Sequence, residues 1–237
     1  MNKVFFALEK KIKAGEIKPG DVLPSAAELA KEFGVSVEEV TTALSELIYE
    51  GDLERVRPVP VDQIRVPVVK LWNTLRGSHS ITSEAKKMGV NPGVEIIRWE
   101  LVDAWPDMQR RLALEPGDKV QIMERLRYGG DEPVAIEVSY FPAKFYPGIT
   151  PELFTEDGSG QSSFAVMEKT FGLISEKAFD EVTVVCLEKR EADYMKMPPG
   201  TPILQRFRVT LSDKGVPIKA SRAIWKFRAG YEMPVKH

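Results

Sequence analysis

Arg125 and Arg127 flank Leu126 within an apolar run, Val120 to Tyr128, that reads as a β-strand. Alternate residues of a strand share a face, so both guanidiniums project from one side and Leu126 from the other. Their spacing of about 7 Å suits an anion such as a phosphate or a carboxylate. Glu137 falls on the next strand, where its carboxylate can take a ligand hydroxyl or amine. A simpler use of the same residues is a surface ion pair between an arginine and Glu124 or Glu137, and residue chemistry alone favours it. Two hydroxyl-rich stretches, Ser78-His79-Ser80-Ile81-Thr82 and Gly158-Ser159-Gly160-Gln161-Ser162-Ser163, each lead into a helix. Backbone N–H groups and hydroxyls at such a point can cradle an anion, although plain helix capping is their commoner use. The chain has no Walker loop, nucleophile elbow or dinucleotide fingerprint. One cysteine, Cys186, and two distant histidines, His79 and His237, do not make a zinc site of the usual ligand types. No carboxylate pair falls into catalytic geometry. The chemistry on offer is binding, and no catalytic residue, cofactor or metal is expected.

The segment from Leu23 to Leu53 offers a different chemistry. Ser25 with Glu28 and Ser36 with Glu39 form two capping boxes on either side of Gly34. The second opens a helix whose Val40, Ala43, Leu44, Leu47 and Ile48 make a core stripe at helical spacing. Helix, tight turn and helix in this order are the frame of a DNA reader. Its outer face, however, carries Val37, Glu38, Thr41, Thr42 and Ser45, with none of the Arg, Lys, Asn or Gln that usually meet bases and phosphates. Glu38 and Glu39 suit the helix dipole but repel phosphate. A helix-turn-helix used only for packing or dimerisation is the competing reading. The first 60 residues hold 8 Lys/Arg against 11 Asp/Glu, and the remainder 25 against 24, so the reader-like segment is the more acidic one.

The elements that must position these groups follow from periodicity and turn residues. Val4, Phe5, Leu8 and Ile12 predict a first helix, closed by Gly15. After a short strand at 53–57, Pro58 and Pro60 mark the way into an extended linker at 62–69. Beyond it, helices are expected at 80–88, 107–114, 162–171 and 188–195. Strands are expected at 94–102, 120–128, 134–140, 179–187, 203–211 and 218–225, with hairpin turns at Gly129-Gly130-Asp131 and Ser212-Asp213-Lys214-Gly215. The segment 112–141 is echoed by 195–225: Arg125-Leu126-Arg127 matches Arg206-Phe207-Arg208, and Pro133 matches Pro217. Such an echo predicts one antiparallel sheet built by near-duplication, with helices on one side.

A length of 237 residues, 43% apolar and 29% charged, fits a globular protein of two domains. There is no apolar run of 18 residues for a membrane, and a single cysteine fits a reducing cytoplasm. A net charge of −2 does not favour nucleic acid by itself.

With these pieces assembled, the chain resembles a GntR-family transcriptional regulator of the HutC type. AGEIKPGDVLPSAAELAKEFGVSVEEVTTALSELIYEGDL is similar to the family's winged helix-turn-helix. ITSEAKKMG, ERLRYGGDEPVAIEVSYFP, SSFAVMEKTFG and GTPILQRFRVTLSDKGVPIKAS resemble the UTRA effector domain, which has a chorismate-lyase-like fold. The resemblance implies an α+β protein: a winged helix-turn-helix at 1–61, a linker at 62–69 and an effector domain at 70–237. It implies a homodimer on operator DNA, whose grip changes when a small metabolite enters the second domain. The positions matching the family's DNA contacts are Ser25, Ala27, Ser36, Val37, Thr41 and Thr42. Those matching its pocket are Ser80, Thr82, Arg125, Arg127, Glu137 and Ser162, with Lys219 where an acidic residue is common. Departures cluster on the DNA side: Ala26-Ala27 stands for Glu-Arg, Val37 for Arg, Glu39-Val40-Thr41 for Thr-Val-Arg, and Arg57-Pro58-Val59-Pro60 for the glycine-rich wing. Lys219 in place of an acid implies an effector more anionic than an aminosugar phosphate. Two alternatives accompany this reading: a metabolite-binding relative that has lost sequence-specific DNA contact, and, ranked lower, a lyase-like enzyme.

Overall fold

A computed structural model describes residues 3–56, 63–67, 72–74, 91–154, 162–226 and 228–230. Contacts divide the chain into two compact units, Met1–Gly77 with Phe227–His237, and Ser78–Lys226.

In the first unit, helices α1 (Lys3–Lys13), α2 (Ala26–Phe33) and α3 (Val37–Glu50) follow the apolar periodicity. Both capping boxes form, with Ser25 and Ser36 each accepting from the backbone of the third helical residue and each Glu reaching back. Gly34 and Gly51 end α2 and α3 in the left-handed conformation (φ 63° and 83°), which glycine adopts without steric cost. Val4, Leu8, Leu29, Val40, Ala43, Leu44 and Leu47 close one core. The chain then pairs β1 (Glu54–Val56) antiparallel with β2 (Gln63–Arg65), and Val22 bridges to Arg65. Part of the segment read as an extended linker, 62–69, is therefore a strand of the first unit, and Val66 is buried in its core. The prolines that signalled a linker lie in the connection between the two strands, outside the described residues. A further two-stranded pairing joins β3 (Trp72–Thr74) in parallel to β10 (Arg228–Gly230).

The second unit is a six-stranded antiparallel sheet in the order β4-β5-β6-β9-β8-β7. Its strands are β4 (Pro92–Asp103), β5 (Lys119–Gly129), β6 (Glu132–Pro142), β7 (Ser175–Cys186), β8 (Pro202–Ser212) and β9 (Pro217–Trp225). Helix α4 (Pro106–Leu112) joins β4 to β5, and α6 (Lys189–Tyr194) joins β7 to β8. Each half is thus strand, helix, strand, strand, and the two halves meet at β6 and β9. The duplication read from 112–141 and 195–225 is present and extends back to the preceding strand and helix.

The expectation of helices on one side is corrected. Met108 and Leu112 of α4 pack with Val120, and Ala192 of α6 packs with Leu126, Ile136 and Ile224, all on one face. Helix α5 (Ser163–Phe171), which joins the halves, instead lays Val166 and Met167 with Met123, Phe141 and Phe154 on the opposite face. The reason is parity. Odd-numbered residues of β5 point away from α4 and α6, and this second face, with Met123 among its members, must also be covered. Among the described residues no helix is long and apolar enough to cross a membrane.

Candidate effector site and nucleic-acid interface

The face covered by α5 carries a buried cluster of charged residues. Arg125 on β5 lies directly across from Glu137 on β6, and Ser139 lies across from Ser221 on β9. Nη2 of Arg125 and Nη2 of Arg127 each donate to the same oxygen of Glu137, both at 3.0 Å. The other Glu137 oxygen receives Lys219 Nζ at 3.5 Å and the Ser139 hydroxyl at 3.4 Å. The ion-pair reading of these residues is realised, but deep inside: Arg125 has no exposed surface and Lys219 is 2% exposed. Glu124, the other candidate partner, has the opposite parity and takes a bidentate bond from Arg190 of α6 at 2.9 and 2.7 Å.

Such a cluster is electrostatically expensive, because desolvating each ion costs several kcal/mol before pairing repays it. Burial by itself would raise the Glu137 carboxyl, but Arg125, Lys219 and Arg127 outweigh it and hold it well below the usual carboxylate range. Burial pulls the Lys219 ammonium down to about 8 against the opposing pull of Glu137, with Arg125, Arg127 and Arg208 adding to the fall. Arg125 is lowered to about 10 by burial and by Arg127. Aromatic faces supply part of the missing solvation: Arg125 lies over Phe154 at 5.8 Å, and Lys219 over Phe141 and Phe164 at 5.5 and 5.3 Å.

Of the residues expected in this site, Arg125, Arg127, Glu137 and Lys219 come together. Ser80 and Thr82 lie outside the described residues. Ser162 is the N-cap of α5, its hydroxyl accepting from the Ala165 N–H at 3.5 Å. It is the next residue, Ser163, whose hydroxyl meets Arg125 Nη2 at 2.7 Å. The sequence reading named Ser163 only as the end of its hydroxyl-rich stretch, chose Ser162 for the site, and did not single out Ser139 or Phe154. Ser139 is two residues from Glu137 on the same strand, so strand parity marks it; Ser163 and Phe154 reach the site only through the chain path after β6.

On the first unit, Ser25, Ala27, Ser36, Val37, Thr41 and Thr42 are all exposed. Their hydroxyls are nevertheless engaged locally. Ser25 and Ser36 donate to Glu28 and Glu39 at 2.7 and 3.1 Å. Thr41 and Thr42 donate to the carbonyls of Val37 and Glu38 at 2.8 and 3.0 Å. The outer face of α3, with Phe5, forms a depression lined by Val37, Glu38, Glu46 and Tyr49, and this face bears no cation.

Two family models match the chain. One, described as the UTRA domain, covers residues 87–229, and the other, bacterial regulatory proteins of the gntR family, covers residues 1–61. The HTH-type transcriptional repressor NagR of Bacillus subtilis is 27% identical over 219 residues, spanning 92% of this chain and 87% of that protein. The mannosyl-D-glycerate transport/metabolism system repressor MngR of Escherichia coli is 24% identical over 203 residues, 84% of this chain and 80% of its own. The crystal structure of PhnF from Mycobacterium smegmatis superposes with a TM-score of 0.71 at 25% identity, covering 98% of this chain and all of that one.

Proposed function

Because the chain belongs to the gntR family of bacterial regulatory proteins that carry a UTRA domain, we propose that it is a cytoplasmic, homodimeric, DNA-binding transcriptional regulator of the HutC type. On this reading a small anionic metabolite on Arg125, Arg127, Glu137 and Lys219 controls operator binding. The observation that carries the effector assignment is the shared carboxylate. Among the described residues three buried cations meet one Glu137, an arrangement of donors that suits an anion entering beside Ser163. Function here is coupling between two binding equilibria, and no turnover is involved. With inorganic phosphate as the simplest probe, thermal unfolding of the full chain is expected at higher temperature. The joint replacement Arg125→Ala and Arg127→Ala is expected to abolish that shift. A shift that survives in the double variant overturns the site assignment.

A second reading, metabolite binding without sequence-specific DNA contact, is favoured by one observation: the exposed face of α3 has acidic and apolar residues, and its threonine hydroxyls are spent on its own backbone. Retention of the chain's own upstream DNA across a salt series separates the two. A regulator touching several phosphates holds the probe at low salt and loses roughly a thousandfold in affinity by moderate salt. If no probe is retained at low salt, the second reading stands and the first falls.

A further inference from the structure

The same sheet face carries a second arginine pair, which the duplication places on β8. Arg208 is fully matched: its Nε and Nη2 donate to the two oxygens of Asp180 on β7 at 2.6 and 2.5 Å. Arg206 is not. Where Arg125 faces Glu137 across its strand pair, Arg206 faces Ala223 on one side and Val182 on the other. Among the described residues no carboxylate lies within ion-pair distance of it, and its buried Nε has no acceptor. The ring of Trp225 lies 5.3 Å from its guanidinium carbon. A buried guanidinium N–H without an acceptor is costly, so its persistence calls for something that repays it.

The charges of the whole face point the same way. Among the described residues, Glu137 joins Arg125, Arg127 and Lys219, and Asp180 joins Arg208, while Arg206 shares neither carboxylate. Between the two arginine pairs, β6 and β9 present Glu137, Ser139, Ser221 and Ala223, and Glu137 is already engaged by Arg125, Arg127 and Lys219. β5 and β8 are three strand spacings apart, about 14 Å, so one small anion cannot serve both ends. We propose that Arg206, backed by the Trp225 ring, is a second oxyanion subsite of this face, taking a phosphate, phosphonate or carboxylate group separate from the one at Arg125 and Arg127. The inference rests on the reading of this face as the effector site.

The experiment is an anomalous-scattering soak of crystals of the full chain with selenate, repeated on Arg206→Gln and Arg206→Lys. Two selenium peaks are expected in the unaltered protein, one at the Arg125–Arg127 pair and one within hydrogen-bond reach of Arg206. Arg206→Gln should lose the second peak alone, and Arg206→Lys should keep it at reduced occupancy. An empty Arg206 position overturns the subsite while an occupied Arg125 pair leaves the effector site standing; both positions empty overturn both. A second peak that survives Arg206→Gln also overturns the subsite, because Arg206 then does not hold the ion. In solution, inorganic phosphate should stabilise Arg206→Gln less than the unaltered protein, and equal stabilisation counts against the inference.

Discussion

The four-residue knot of Arg125, Arg127, Lys219 and Glu137 makes each member depend on the others, and single substitutions therefore differ in sign. Glu137 is the shared anion. Glu137→Gln removes the carboxylate that Arg125, Arg127 and Lys219 share, and the expected cost is roughly 3–5 kcal/mol in urea unfolding. Inorganic phosphate should stabilise that variant more than the unaltered protein, since the added anion replaces the one removed. Lys219 behaves oppositely. Its pKa in the fold, about 8, lies below its ordinary 10.5. Between these values the unfolded chain binds a proton that the fold does not, so stability rises with pH across that window and is lowest below it. Lys219→Met, similar in length and uncharged, is expected to raise stability at pH 7 by roughly 1–3 kcal/mol. The gain should vanish above the ordinary lysine value, and the variant should lack the rise between pH 8 and 10.5. A variant no more stable at pH 7 would show that Lys219 is not under strain from burial.

At the scale of the element, α3 is specified twice, by its Ser36–Glu39 box at the start and by Gly51 at the end. Ser36→Ala should destabilise the first unit by about 1 kcal/mol, as loss of an N-cap does, read by chemical unfolding. If Ser36 instead held DNA, its replacement would lower operator affinity with stability unchanged. Helix α5 shows how a cap and a site share one turn: Ser162 accepts from the backbone, while Ser163 turns inward to Arg125. The duplicated strands β5 and β8 repeat an Arg-apolar-Arg pattern, yet their surroundings diverge. The acid pairing the first lies on the inner strand β6, and the acid pairing the second lies on the outer strand β7.

For the molecule as a whole, two binding equilibria must be linked if it is a regulator. Linkage is reciprocal: whatever factor an anion changes in operator affinity, operator DNA must change in anion affinity. Titrating the anion with and without operator, at one salt concentration, is expected to give equal factors. Unequal factors would mean that the two ligands do not report on the same pair of states. The salt dependence of operator binding belongs to this scale too, because the first 60 residues are net acidic and their cations are few.

The capping boxes, the glycine turn, the apolar stripes and the two hairpins were legible from residue order alone, because caps, turns and periodicity are local. The duplication was equally legible, since it is a property of the string. Strand parity put Arg125 and Arg127 on one face and made Glu137 their neighbour. Three things were settled only by tertiary structure. Pairing of 54–56 with 63–65 turned part of a linker into a strand of the first unit, because a pairing partner is not written in either segment. Burial turned a surface ion pair into a desolvated cluster, because depth depends on what α5 covers. The convergence of Lys219 and Ser163 on residues far away in the chain followed from the order of strands in the sheet, which the spacing of residues along the sequence does not contain.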